Sequence, residues 1–151
     1  MNYYNEIKDI LINNELTKKV KEYSKNKSDL DSYYNVGKLL IEAQGGEARA
    51  KYGDNVIKEY SKRLTRELGR GFTISSLKRM RQFYLIIEKG ATLSHQLTWS
   101  IYVQWVKFDD INVINYYVRN SEEQHLGVRK LRDKIKSKEY ERLDDISYWK
   151  K

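Results

Sequence analysis

Neither cysteine nor proline occurs in this chain of 151 residues. Without cysteine there is no disulfide and no thiolate metal site. Without proline, no helix is kinked or stopped by a missing backbone N–H, which suits a largely helical chain. Histidine is also scarce, with two in the whole sequence, His95 and His125. No apolar run approaches the roughly 20 residues needed to span a bilayer, so no membrane partner is expected. The opening Met1-Asn2-Tyr3-Tyr4-Asn5-Glu6 has neither a basic leader nor an apolar signal core, which predicts a cytoplasmic protein.

What is present fits a single domain with a helical extension, divided as residues 1–28 and 29–151. The hydrophobic fraction of 40% and the charged fraction of 33% describe a globular domain with a heavily charged surface. The net charge of +8 is unevenly spread: −1 over residues 1–48, +7 over 49–89, −2 over 90–128 and +4 over 129–151. Clustered positive charge is what phosphate contacts require, although lysine-rich helices are commonly just solvated.

The stretch from Tyr52 to Ile87 organises the rest. It reads as a helix from Asp54 to Leu68, a turn at Gly69-Arg70-Gly71-Phe72-Thr73, and a helix from Ile74 to Ile87. Val56, Tyr60, Leu64 and Leu68 make one apolar stripe; Leu77, Met80, Tyr84 and Ile87 make the second. Ser75, Lys78, Arg79 and Gln82 fall on the opposite face. Between Leu68 and Ile87 there are Arg70, Lys78, Arg79 and Arg81 and no acidic residue. Two amphipathic helices joined at a sharp turn, the second cationic outside, predict a helix-turn-helix.

Around this element the periodicity predicts further helices. Residues 3–25 have Ile7, Leu11 and Val20 on one side, and the polar run from Ser24 to Asp29 reads as a break. A helix from about Ser32 to Gln44 turns Tyr33, Val36 and Leu40 inward, and Gly45-Gly46 stops it. Leu97, Ile101 and Trp105 keep helical spacing through an aromatic stretch that composition alone would favour as a strand. Asp109 or Asp110 caps a helix to about Ser121, and Gly127 precedes a last helix from Val128 to about Leu143. The fold class is all-α, a helical bundle containing a helix-turn-helix.

One pattern is specific in its order and spacing. Gln44-Gly45-Gly46-Glu47-Ala48-Arg49-Ala50-Lys51-Tyr52-Gly53 is followed by Ser61-Lys62-Arg63-Leu64, Gly69-Arg70-Gly71-Phe72-Thr73 and Leu77-Lys78-Arg79-Met80-Arg81-Gln82-Phe83-Tyr84. Later come Leu97-Thr98-Trp99-Ser100-Ile101-Tyr102, Val128-Arg129-Lys130-Leu131-Arg132 and Tyr140-Glu141-Arg142-Leu143. Over residues 30 to 143 the chain resembles the N-terminal helical domain of the YhcG-type PD-(D/E)XK nuclease family. The resemblance implies a helix-turn-helix-like DNA-binding domain, usually followed by a separate nuclease domain. That catalytic half would begin just after Tyr140-Glu141-Arg142-Leu143, and the sequence runs eight residues further, to Lys151. Such nucleases need carboxylates and a lysine on adjacent strands to hold a metal and activate water. Glu6-Ile7-Lys8 has the Glu-x-Lys spacing but lies on a helix. DNA binding is therefore expected and nuclease activity is not.

For base reading, Ser75, Ser76, Lys78, Arg79 and Gln82 stand on the first turns of the second helix. Arg70 in the turn and Lys62, Arg63 and Arg66 on the preceding helix would hold phosphates, which fixes register without reading sequence, and Arg81 is a further nucleic-acid-binding candidate. Arg129, Lys130 and Arg132 on the last helix are a second candidate phosphate surface, where Asp133, Glu139 and Glu141 equally well pair with neighbouring lysines. His95 has no ligating or orienting partner close in sequence, and His125 follows Glu122 and Glu123 at a helix end, so both read as surface or capping residues and no metal or cofactor is expected. Tyr3, Tyr4, Tyr148 and Trp149 read as exposed aromatics near the termini. The expected partner is duplex DNA, bound by a monomer or a homodimer. The alternative is a protein-binding inhibitor or adaptor, such as a mobile-element-encoded anti-CRISPR protein that blocks a defence complex.

Overall fold

A computed structural model describes residues 2–20, 25–46 and 55–143, with no strand among them. The order is α1 (Tyr3–Val20), α2 (Lys25–Ala43), α3 (Asn55–Leu68), α4 (Ile74–Glu88), the single turn α5 (Trp99–Tyr102), α6 (Ile111–Gln124) and α7 (Val128–Lys136). Residues 139–143 add a further helical turn. The fold is an all-α bundle. The expectations for residues 47–54 and for Tyr148 and Trp149 lie outside the described residues.

Two apolar clusters make the core, and α2 and α4 run through both. In the first, Tyr4, Ile7 and Leu11 of α1 meet Val36 and Leu40 of α2, Ile57 and Leu64 of α3, and Leu77 and Met80 of α4. In the second, Leu30 of α2 and Phe83 and Ile86 of α4 meet the α5 segment, Val113, Ile114, Tyr117 and Val118 of α6, and Leu131 of α7. The helices α2 and α4 approach closely because residue 37 is glycine. A Cβ there would stand 2.2 Å from the Met80 carbonyl oxygen and 2.8 Å from Tyr84 Cβ.

Several elements depart from the sequence reading. The polar run from Ser24 is not a break over its length, because α2 already begins at Lys25. Its polar side chains are used: Asn14 of α1 donates to buried Asp29 at 3.0 Å, Ser28 donates to Asn14, and Lys27 pairs with Asp31 at 2.7 Å one turn on. The inward stripe of α3 is Ile57, Ser61 and Leu64, with Val56 and Tyr60 only half-buried. The inward stripe of α4 is Leu77, Met80, Phe83 and Ile86 rather than one ending on Tyr84 and Ile87. The shift follows from Phe83, whose ring stands 5.2 Å from both Trp99 and Tyr102 at edge-on angles, a favoured aromatic geometry.

The helix expected around Leu97 to Val106 shrinks to Trp99–Tyr102, capped by Thr98. Beyond it the bonds tighten to three-residue spacing, Gln104 N–H to Ile101 and Trp105 N–H to Tyr102, both 3.1 Å. Ile101, Tyr102, Trp105 and Val106 are all buried across this segment. Asp110, of the two candidates, caps α6, and its carboxylate accepts from the Asn112 N–H at 2.9 Å. The last helix stops at Lys136, with Lys138 in the left-handed region at φ 57°. Tyr4 is not an exposed anchor: it is buried and donates to Glu67 at 2.6 Å.

Candidate nucleic-acid interface

The connection between α3 and α4 is built locally. Gly69 and Gly71 take φ values of 101° and 108°, a left-handed region that glycine enters without steric cost. Ser61 on α3 donates to the Phe72 carbonyl at 2.7 Å, which fastens the turn to the helix before it. Thr73 then caps α4, its hydroxyl oxygen accepting from the Ser76 N–H at 3.0 Å. The remaining N–H groups of that first turn carry the positive end of the helix dipole.

Around this helix start the structure gathers part of the expected set. Ser75 and Arg79 are exposed on the outer side of α4, and Ser76, Lys78 and Gln82 are half-buried beside them. Ser76 is occupied by the cap, since the Thr73 hydroxyl also donates to its Oγ at 3.0 Å. Arg70 is exposed in the turn, and Lys62 and Arg66 are exposed on α3, away from Ile57 and Leu64. Lys62, Arg66, Arg70 and Arg79 have no hydrogen-bond or ion-pair partner among the described residues.

Two expected cations are drawn into the fold instead. The Arg63 guanidinium lies 3.6 Å above the Tyr4 ring and 3.8 Å from Glu59. It borders a network in which Glu67 bonds Lys8 at 2.7 Å as well as Tyr4, and these bonds hold the Glu67 carboxyl below its ordinary range. Lys8, the lysine of the Glu-x-Lys spacing, is thus an ion-pair partner between α1 and α3. Arg81 is half-buried and donates to the Gln44 side chain at 3.0 Å, tying α4 to the end of α2.

A second cationic arrangement surrounds α7, which rests on the α5 segment. Arg129 and Lys130 are exposed. Arg132 donates through Nε to the Gln104 side chain at 2.8 Å, and Gln104 donates to the Ser100 carbonyl at 3.0 Å. Gln104, Lys107, Arg132, Ile135 and Lys136 line a cleft of about 340 Å³. Gln104 and Lys107 were not among the expected residues, since a lone lysine closing an apolar stretch carries no pattern. Lys134 has its own partner, Glu139, at 3.1 Å.

A third feature is mainly apolar: Leu11, Ile12, Glu15 and Leu16 of α1 with Leu68, Arg70 and Phe72 line a groove of about 350 Å³. Leu16 is 55% exposed there. The two histidines take different places. His95 bonds Asp31 at 2.8 Å, a partner 64 positions away that spacing does not reveal. Burial alone would raise the Asp31 carboxyl, but bonds from Lys27 and His95 outweigh it and hold it below the usual range. His125 closes α6 in the left-handed conformation at φ 51°. Among the described residues, no three His, Asp or Glu side chains come together as a metal site, and no helix is long and apolar enough to cross a membrane.

Residues 6–142 match the DUF1016 N-terminal domain. An alignment over 71 residues is 44% identical to an Escherichia coli (strain K12) protein named "Putative nuclease YhcG" and covers 44% of this chain and 19% of that relative. The chain therefore aligns with a minor part of that relative's length. No solved structure matches.

Proposed function

The chain belongs to the DUF1016 N-terminal domain family, and we propose that this member binds duplex DNA through the start of α4, without catalysing a reaction itself. The observation that carries the reading is Arg79. It is exposed, has no partner among the described residues and stands on the second turn of a capped helix, in a stretch from Leu68 to Ile87 that has no carboxylate. In a helix-turn-helix the first turns of the second helix enter the major groove. Ser75 and Arg79 then face base edges, with Gln82 one turn further in. Arginine pairs with guanine through two parallel bonds. Arg70, Lys62 and Arg66 flank this face as phosphate contacts, which orient the domain on the duplex. The nuclease name of the relative supports a nucleic-acid partner, and within a larger nuclease such a domain would deliver the catalytic part to its substrate.

Fluorescence anisotropy on random and selected duplexes tests this. Arg79→Ala is expected to weaken binding to the preferred duplex by about 1–3 kcal/mol and to bring it towards the random one. Equal affinity of wild type and variant for every duplex rejects the reading.

A second reading, docking of a protein partner, is favoured by the groove between α1 and the turn after α3, where Ile12 and Leu16 are exposed. Exposed apolar side chains beside a concavity are typical of protein contacts. A complex of fixed stoichiometry that survives nuclease digestion supports it; a solution mass of two chains makes the partner a second copy.

A further inference from the structure

We propose that the cleft between α7 and the turn following α5 is a phosphate site. Its ligand is the oxyanion of a phosphoryl group, whether a backbone phosphate of a nucleic acid or free phosphate.

The argument starts from how Arg132 is held. Its Nε is spent on Gln104 at 2.8 Å, and Gln104 is in turn anchored to the Ser100 carbonyl at 3.0 Å. The two terminal Nη groups have no partner among the described residues. A guanidinium fixed along one edge and free along the other is oriented to meet two phosphate oxygens side by side. Lys107 and Lys136, both exposed, complete the lining, and no lining side chain is acidic. Arg132 and Lys136 stand one helical turn apart, a spacing at which like charges repel, and a bound anion relieves that repulsion. Ile135 forms the apolar part of the wall and lowers the local dielectric, which strengthens the attraction.

The competing account is that Lys136 merely complements the negative end of the α7 dipole. That account explains neither the Gln104 brace nor Lys107, which belongs to a different segment.

The test follows the Arg132 Nε–H resonance by NMR in two arms. In the first, the protein is titrated with inorganic phosphate and, separately, with chloride at equal ionic strength. In the second, it is titrated with duplex DNA; this arm rests on the DNA-binding reading above, and the first does not. A saturable Arg132 shift with phosphate, absent with chloride and lost in the Lys107→Gln, Lys136→Gln double variant, supports a site for the free anion. A shift with duplex alone, with Lys107→Gln lowering the salt slope of binding by about 0.9, supports a site for the backbone phosphate. An Arg132 resonance that moves in neither arm, or moves equally in chloride, overturns the proposal. Duplex binding that depends on Arg79 while Arg132 stays silent in both arms overturns it and leaves the DNA reading standing. Failure of all duplex binding sinks the DNA reading and leaves the phosphate arm decisive.

Discussion

Replacing Lys62, Arg66 and Arg70 together by glutamine tests the orientation proposed for α3 and α4 more sharply than any single change. All three are exposed and have no partner among the described residues, so the substitutions break no bond among those residues. Stability should stay within about 0.5 kcal/mol per site, as for ordinary surface changes. Binding should respond strongly, because each neutralised phosphate contributes about 0.9 to the slope of log affinity against log salt. Three contacts amount to a slope of about 2.7, which is about a 40-fold loss of affinity between roughly 50 and 200 mM salt. The wild-type slope will exceed this if the cleft by α7 also touches the backbone. The informative quantity is therefore the difference between wild type and variant, which cancels contacts made elsewhere. Anisotropy of a labelled duplex over that salt range measures both slopes. A variant slope equal to a steep wild-type slope would refute the reasoning, because the phosphates would then be held by another face.

Three further outcomes check the fold that carries this surface. Gly37→Ala should destabilise by about 1–3 kcal/mol or more, since its methyl would meet Met80 backbone at 2.2 Å and force α2 from α4; an unchanged urea midpoint would contradict the close approach. Tyr102→Phe removes a hydroxyl that accepts from the Ser94 N–H at 2.6 Å and donates to the Thr92 carbonyl at 2.7 Å, and should cost about 1–3 kcal/mol by the same assay. Burial, together with the Glu67 bond and charge, pushes Tyr4 up to about 12, and chiefly the Glu88 bond pushes Tyr34 up to about 12. Both folded-state values lie above the ordinary value of about 10, so their stabilising effect is whole below pH 10 and is lost as pH rises from 10 to 12. Urea midpoints should fall over that window less steeply in a Tyr4→Phe, Tyr34→Phe variant; parallel curves would show that these hydroxyls do not matter.

Much of the chain was legible because its signals are local. Gly69 and Gly71 mark the turn before α4, Gly45-Gly46 the end of α2, and the pair Asp109 and Asp110 the start of α6, where the structure selects Asp110. What escaped is set by partners distant in sequence. The run after Ser24 looks like a loop until Asn14 is seen to bond Asp29. His95 looks solitary until the fold brings Asp31 to it. Arg63 and Arg81 are, by sequence, as good phosphate donors as Arg66 and Arg79; only packing assigns them to Tyr4 and Gln44. Gln104 and Lys107 belong to the candidate cleft solely because α7 folds back over α5.

The inner stripe of α4 also limits which of its side chains face outward. Leu77, Met80, Phe83 and Ile86 recur every third residue, short of the 3.6-residue turn, so the buried strip winds around the helix as the chain proceeds. The side opposite it therefore winds too, and no single outward line runs the length of α4. Near the N-terminus that side holds Ser75 and Arg79, both exposed; a turn later Gln82 is already half-covered. Meanwhile Leu77 and Met80 bind the helix into one core cluster, and Phe83 and Ile86 bind it into the other. Anchored in both, α4 has little freedom to tilt, and recognition works best from side chains presented by rigid elements. The winding confines what α4 can offer to its first two turns, the part that a helix entering the major groove presents to base edges.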